Sequence, residues 1–424
     1  MTVPRIGLVV NPVAGLGGPV GLKGSDGREV QRRALELGAV PRAGERAAAA
    51  LASLRGTPCE LLTAGGPMGA DAARAAGWEA RVVYEPGAPR APGAGTGTGP
   101  GPGGPAGPSA AGSAPGSPGS APGAETGPGD TVAAVRALRD AGAGLVLFAG
   151  GDGTARDVWD ALVGVTGGPA TRGADLAVLG IPTGVKMHSA VFGVTPRAAG
   201  ETAAAWAGGD GRARLRLRQA EVMDRDEEAL REGRLTARLY GWLTVPDVPA
   251  RVQQRKSGAP AAAPEATAGI AAELAARVPA GAPLVLGPGG TTHAVAAALG
   301  ADVALTGVNA LTLADGRAGV LARDASAAGL RSAIQGGSPP WIAVSPIGGQ
   351  GFLLGRGNQQ LSPDLLRAAG RDRLLVLCTE AKLASLGGRP LLADTGDASL
   401  DAELAGYLPV LTGRGSTSLY RLAG

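Results

Sequence analysis

The chain has 424 residues, 44% hydrophobic and 18% charged, with a formal net charge of +4. That length and apolar content suit two ordinary domains with cores of their own. No basic run interleaves with aromatics, which excludes a nucleic-acid reader. No apolar run approaches the roughly 18 residues of a membrane-spanning helix.

Two cysteines, Cys59 and Cys378, form no CxxC pair, so neither a zinc site nor a disulfide framework is expected. The N-terminus reads as a strand and has no leader cleavage site. Together these point to a reduced, cytoplasmic protein without stable membrane association.

In chain order, a strand at 6–10 runs into a long glycine-rich turn, Asn11-Pro12-Val13-Ala14-Gly15-Leu16-Gly17-Gly18. It lacks the Gly-Lys-Ser/Thr ending of a P-loop and misses the third glycine of a dinucleotide fingerprint. Its N–H groups can still meet a phosphate. Helices follow at 29–37 and 43–54, and strands at 60–63 and 80–84. From Gly87 to Gly129, 25 of 43 residues are Gly or Pro and none is large and apolar. Such a stretch cannot bury a core and reads as an inserted surface loop. A helix at 131–140 resumes the pattern.

The apolar run Leu145-Val146-Leu147-Phe148-Ala149 then enters Gly150-Gly151-Asp152-Gly153-Thr154, with a helix expected from Ala155. This is the most informative passage. Glycines at a helix N-terminus let backbone approach phosphate. A carboxylate there repels phosphate, so Asp152 must hold a metal ion or accept a proton from an attacking hydroxyl. A strand at 176–179 leads to a third loop, Gly180–Ala190, which carries Thr183, Gly184, Lys186, His188 and Ser189. Lys186 suits phosphate charge, and His188 a hydroxyl or ribose. Thr195 and Pro196 open a helix to about Trp206, and the first domain is expected to close by residue 210.

The second half, 211–424, opens with strands at 215–223 and 234–245. A helix at 267–277 precedes a strand at 284–286 and a second glycine loop, Gly287-Pro288-Gly289-Gly290-Thr291-Thr292. Gly289 and Thr291 are candidate anion contacts at the N-terminus of a helix expected from His293. A strand at 341–344, the polar glycine segments 345–352 and 355–360, and strands at 374–377 and 408–411 complete the chain. Alternating strands and helices give an α/β fold.

Three segments stand in a telling order: Asn11-Pro12-Val13-Ala14-Gly15, Gly150-Gly151-Asp152-Gly153-Thr154 and Ile181-Pro182-Thr183-Gly184. The order resembles the superfamily that unites NAD kinases with diacylglycerol and sphingosine kinases. Within it, the chain is most similar to the predicted polyphosphate- or ATP-dependent NAD kinases. The resemblance implies a Rossmann-like three-layer N-terminal domain and a second β-rich α/β domain, with the nucleotide between them. It implies ATP, Mg²⁺ and NAD as cofactors and substrate. Asp152 would take the proton from the NAD 2′-hydroxyl. Gly150, Gly151, Gly153 and Thr154 would line phosphates, and Asn11, Gly15 and Gly17 would form a second phosphate loop. Other NAD kinases grip a ribose with an Asn-Glu or Asn-Asp pair, and Gly307-Val308-Asn309 stands where relatives often have Gly-Val-Asp. Small nucleotides are the expected partners, and a homo-oligomer is compatible with the resemblance. The alternatives are a kinase of another hydroxyl, on a lipid or nucleotide, and a nucleotide sensor without turnover.

Overall fold

The structure, a computed structural model, describes residues 3–22, 28–87, 126–163, 176–184, 187–208, 215–225, 237–248, 264–334, 338–347 and 351–424. Its first sheet has five parallel strands: β1 (Arg5–Val10), β2 (Glu60–Ala64), β3 (Arg81–Tyr84), β4 (Leu145–Gly150) and β5 (Ala177–Pro182). Their spatial order is β3-β2-β1-β4-β5. All of β4 and β5 is buried, as near-continuous apolar runs require of parallel strands covered on both faces. The covering helices are α1 (Arg28–Glu36), α2 (Ala43–Ala52), α3 (Ala70–Ala75), α4 (Pro128–Asp140), α5 (Asp152–Leu162) and α6 (Pro196–Ala207). Helix α2 packs on α6, and α4 on α5. A Cβ at Gly200 would come within 1.9 Å of the Ala50 carbonyl oxygen, so glycine lets α6 lie close against α2.

The chain moves outward from β1 to β3 and then returns to β4 and β5 on the other side. The order therefore reverses between β1 and β4, and the loops leaving those strands diverge around a crevice. Phe192 anchors the far edge. Its ring meets Phe148 edge-on at 5.3 Å between centroids, and a Cβ on Gly180 would sit 2.2 Å from it. Gly180→Ala is expected to cost about 1–3 kcal/mol by overpacking. Urea unfolding checks this, and a midpoint equal to wild type would show that the ring moves freely aside.

Several boundaries differ from the sequence reading. Helix α5 starts at Asp152 rather than Ala155, because Gly151 takes the cap position and an acid suits the first turn. Strand β5 runs to Pro182. Pro128 and Gly129, expected in the insertion, open α4, where the Asp130 carboxylate accepts from the Gly127 N–H. Residues 88–125 of that insertion lie outside the described residues.

Strands β6 (Leu217–Arg225) and β7 (Ala237–Pro246) form an antiparallel ribbon. They were expected with the second half. Instead Ala220, Val222, Leu243 and Val245 join the first core, and Tyr240 stacks edge-on against Trp159 of α5.

The remaining elements are α7 (Pro264–Arg277), β8 (Pro283–Leu286), α8 (Gly290–Ala298), β9 (Asn309–Ala314), β10 (Arg317–Ala322), α9 (Ala327–Ala333), β11 (Trp341–Val344), β12 (Phe352–Leu354), α10 (Pro363–Ala369), β13 (Leu374–Leu377), α11 (Glu380–Ala384), β14 (Leu391–Ala393), α12 (Ala398–Leu404), β15 (Gly406–Gly413) and β16 (Ser416–Ala423). They build a mixed nine-stranded sheet, β10-β9-β8-β11-β13-β15-β16-β14-β12, in which β8, β11, β13 and β15 run parallel. One face packs on Ile270, Leu274 and Val295, the other on Leu330, Leu366 and Leu400. This is the β-rich α/β second unit that the sequence implied. Among the described residues, no helix is long and apolar enough to cross a membrane.

Candidate functional site

Strands β1, β4 and β5 end side by side: Val10 pairs with Ala149, and Gly150 with Pro182. The three loops foreseen from sequence therefore meet at the reversal in strand order. The Asn11 N–H donates to the Ala149 carbonyl at 2.9 Å. Asn11 Oδ1 accepts from the Val13 N–H at 3.3 Å, which starts the turn, while its Nδ2 donates to Thr154 Oγ1 at 3.0 Å. One side chain thus ties the first loop to the first turn of α5.

Glycine is required where the loops touch. Gly15 has φ +81°, and a Cβ there would lie 2.4 Å from the Thr183 carbonyl oxygen. A Cβ at Gly184 would come 3.0 Å from the Gly15 Cα. Gly17 is buried, and its carbonyl accepts from the Leu22 N–H. At Gly150 a Cβ would collide with the Thr154 side chain, which folds back over it. Gly151 faces open space and Gly153 is half-buried in the first turn of α5, where N–H groups lack intrahelical partners. Thr183 is buried, and its N–H reaches the Gly150 carbonyl at 3.4 Å. Lys186 lies outside the described residues.

Asp152 sits where these loops converge, with its side chain only 11% exposed. Its Oδ1 accepts from the N–H groups of His188 (3.1 Å) and Ser189 (2.9 Å). Its Oδ2 accepts from the His188 N–H (2.8 Å) and lies 3.3 Å from His188 Nδ1. Burial pushes this carboxyl up, but the hydrogen bonds from His188 and Ser189 outweigh it and hold Asp152 below the ordinary carboxylate range. The donor loop is itself fixed. Ser189 Oγ accepts from the Met223 N–H at 2.9 Å, and the Ala190 N–H donates to the Glu221 carbonyl at 2.8 Å. Strand β6 therefore braces the loop that grips Asp152. Two backbone N–H groups and the His188 ring thus meet the two oxygens of this carboxylate. Among the described residues, no three His, Cys, Asp or Glu side chains gather as metal ligands.

Gly289 and Thr291 stand elsewhere, at the end of β8 in the second unit. Gly289 (φ +131°) caps α8, which begins at Gly290 rather than His293. Thr291 is buried and accepts from Lys382 Nζ at 3.3 Å, and Ser345 Oγ accepts from the same amine at 2.9 Å. Sequence reading missed Lys382 and Ser345, since nothing local links them to Thr291. Asn309 is no ribose ligand here. Its Oδ1 accepts from Ala304 and Asp324, and its Nδ2 donates to Ala304 and Gly307, so its own turn uses the whole amide.

A cavity of about 230 Å³ opens beside the first loop, lined by Gly15, Arg42, Arg46 and Thr183 from one half and by Gln359 and Asp394 from the other. Below it, Asp394 pairs with Arg46 and lies 3.5 Å from Arg356 Nε. Arg356 is fully buried, lies over the Phe352 ring and donates to the Val194 carbonyl. Burial pushes its guanidinium down to about 10, an effect that Asp394 opposes and Arg46 reinforces. Arg356 stands in the polar glycine segment 355–360, the one sequence signal that could have marked it. Cys59 is half-buried against the first core. Cys378 is buried in the second, where desolvation pushes its thiol up to about 11.

Two family models match the chain: the ATP-NAD kinase N-terminal domain over residues 6–211 and the ATP-NAD kinase C-terminal domain over residues 282–422. No curated protein and no solved structure matches it.

Proposed function

The chain belongs to the ATP-NAD kinase family, and on that premise we propose that it transfers the terminal phosphate of ATP to the 2′-hydroxyl of NAD, forming NADP. The observation that carries the reading is the meeting of the Asn11, Gly150–Thr154 and Thr183–Gly184 loops at the strand-order reversal, with a buried ionised carboxylate among them. Open sheets bind ligands at such a crevice. The bare N–H groups and dipole of α5 favour phosphate there. Positioning and charge stabilisation then do most of the catalytic work, since phosphoryl transfer asks little covalent chemistry of the protein. Magnesium, when bound, neutralises charge on the transferring phosphate.

The test is NADP formation by purified protein from NAD, ATP and Mg²⁺, with polyphosphate as a competing donor. NADP made with ATP supports the reading. Turnover with polyphosphate alone would replace the donor. Phosphorylation of a different hydroxyl acceptor, with NAD untouched, would overturn the acceptor.

A further inference from the structure

We propose that the second unit holds a phosphate group at a site of its own, built from Thr291, Ser345 and Lys382. The site belongs to the second sheet rather than to the Asp152 crevice of the first, and it does not depend on NAD being the acceptor.

The sheet places it. The strand order β10-β9-β8-β11-β13-β15 reverses between β8 and β11: the chain leaves β8 through α8 toward β9, and leaves β11 toward β13. Val295 of α8 packs on one face of the sheet, and Leu366 of α10, which follows β11, on the other. The connections therefore part around the carboxyl ends of β8 and β11, the position at which open sheets take ligands. The Gly287 N–H donates to the Ala343 carbonyl at 2.9 Å, which holds the turn after β8 against the end of β11. Lys382 comes from the next strand along. It follows β13 in α11, where Thr379 Oγ1 accepts from its backbone N–H at 3.4 Å.

The side chains then meet. Lys382 Nζ donates to Thr291 Oγ1 at 3.3 Å and to Ser345 Oγ at 2.9 Å. Each hydroxyl has spent a lone pair on the amine and keeps its proton to give. Thr291 and Ser345 are 5% and 3% exposed, and among the described residues neither hydroxyl has an acceptor for that proton. A buried donor left unmet is costly. The ammonium repels a cation, so the missing partner is an anion made of acceptors. Two hydroxyls, an ammonium and the first N–H groups of α8 suit the three oxygens of a phosphate better than the two of a carboxylate.

The turn also repeats the one at Asp152. Leu145-Val146-Leu147 is followed, after two residues, by Gly150-Gly151 and then Asp152; Leu284-Val285-Leu286 is followed at the same spacing by Gly289-Gly290 and then Thr291. Each glycine pair opens a helix, α5 or α8. The second sheet thus has a hydroxyl where the first has a carboxylate. Thr291 donates to a phosphate where Asp152 would repel one, so the second turn is suited to holding an anion.

The test reads Lys382 in the whole chain. There are four lysines, Lys23, Lys186, Lys256 and Lys382, so lysine isotope-labelled at Cε gives few NMR signals, and Lys382→Arg assigns the one in question. Inorganic phosphate is expected to shift the Lys382 signal to saturation, and acetate to leave it in place. A shift with NAD assigns the phosphate to a nucleotide, and a shift with inorganic phosphate alone assigns it to a free phosphate; both uphold the site. By calorimetry, Lys382→Met is expected to weaken phosphate binding by about tenfold or more. A Lys382 signal that ignores phosphate and NAD alike, or answers acetate as strongly as phosphate, overturns the proposal. So does a folded Lys382→Met protein that binds phosphate as wild type does. The NMR reading uses the unaltered chain, so it decides even if that variant fails to fold. No turnover is involved, so a failed kinase assay leaves these results standing.

Discussion

Asp152→Asn is expected to lower kcat by about a hundredfold or more while ATP still binds. The amide keeps the size of the carboxylate but loses its charge and presents an NH₂ to groups that all donate. One of three contacts must therefore break: the His188 N–H, the Ser189 N–H or the ring. If the amide NH₂ faces the ring, His188 Nδ1 must accept rather than donate, which reorganises the pair. The same substitution changes the response to acid. The folded state holds the carboxyl of Asp152 below its ordinary range, so it contributes stability fully above the unfolded pKa. That contribution is lost as pH falls through the depressed folded value. The Asn variant is expected to be less stable than wild type at neutral pH, with the gap closing in acid. Thermal melts across pH check this. A constant gap would mean that the carboxylate is not held as its hydrogen bonds imply.

Asp394→Ala is the largest expected loss of stability, about 3–5 kcal/mol. It removes the one carboxylate paired with both Arg356 and Arg46 among the described residues, their side chains being 1% and 11% exposed. Arg356 cannot shed its charge near neutral pH, since even burial brings it down only to about 10. Two of its nitrogens, Nε and Nη1, lack a well-formed hydrogen bond, so Asp394 compensates the buried charge mainly through its field. Converting all three residues to apolar ones of similar volume is expected to cost far less than removing Asp394 by itself, because the desolvation penalty then disappears with the charges. Chemical unfolding of the single and triple variants decides it. A single-variant loss below about 1 kcal/mol would show that water reaches the cluster.

What the sequence disclosed follows a physical rule. The passage from Leu145 to Thr154 was legible because a fully buried strand must be apolar and its exit turn must be glycine. The same logic exposed β1, β5 and the three loops, and hence the layered α/β fold. The β6–β7 ribbon was recognised as strands but placed with the wrong core: an alternating pattern states that one face is buried, not what it is buried against. Strands of three residues, such as β12 and β14, are too short to show a period. The sequence reading singled out neither Arg46 nor Asp394. Their pairing spans 348 residues of chain, and no local pattern can report it. His188 was visible as a candidate. Its attachment to Asp152 was not, because the bond depends on β6 holding the loop in place.

The Arg46–Asp394–Arg356 cluster also bears on how nucleotides come and go. Arg46 belongs to α2 and also donates to the Pro182 carbonyl, while Arg356 donates to the Val194 carbonyl. The charges are thus stitched across the joint between the two sheets. Swinging the halves apart would strand buried ions in a widening gap, a costly motion to repeat at each turnover. Such buried charges favour a clasp riveted at its hinge over a jaw. Exchange of substrate and product is then expected to proceed by loop movement, in the nanosecond-to-microsecond range, rather than by the slower swing of domains.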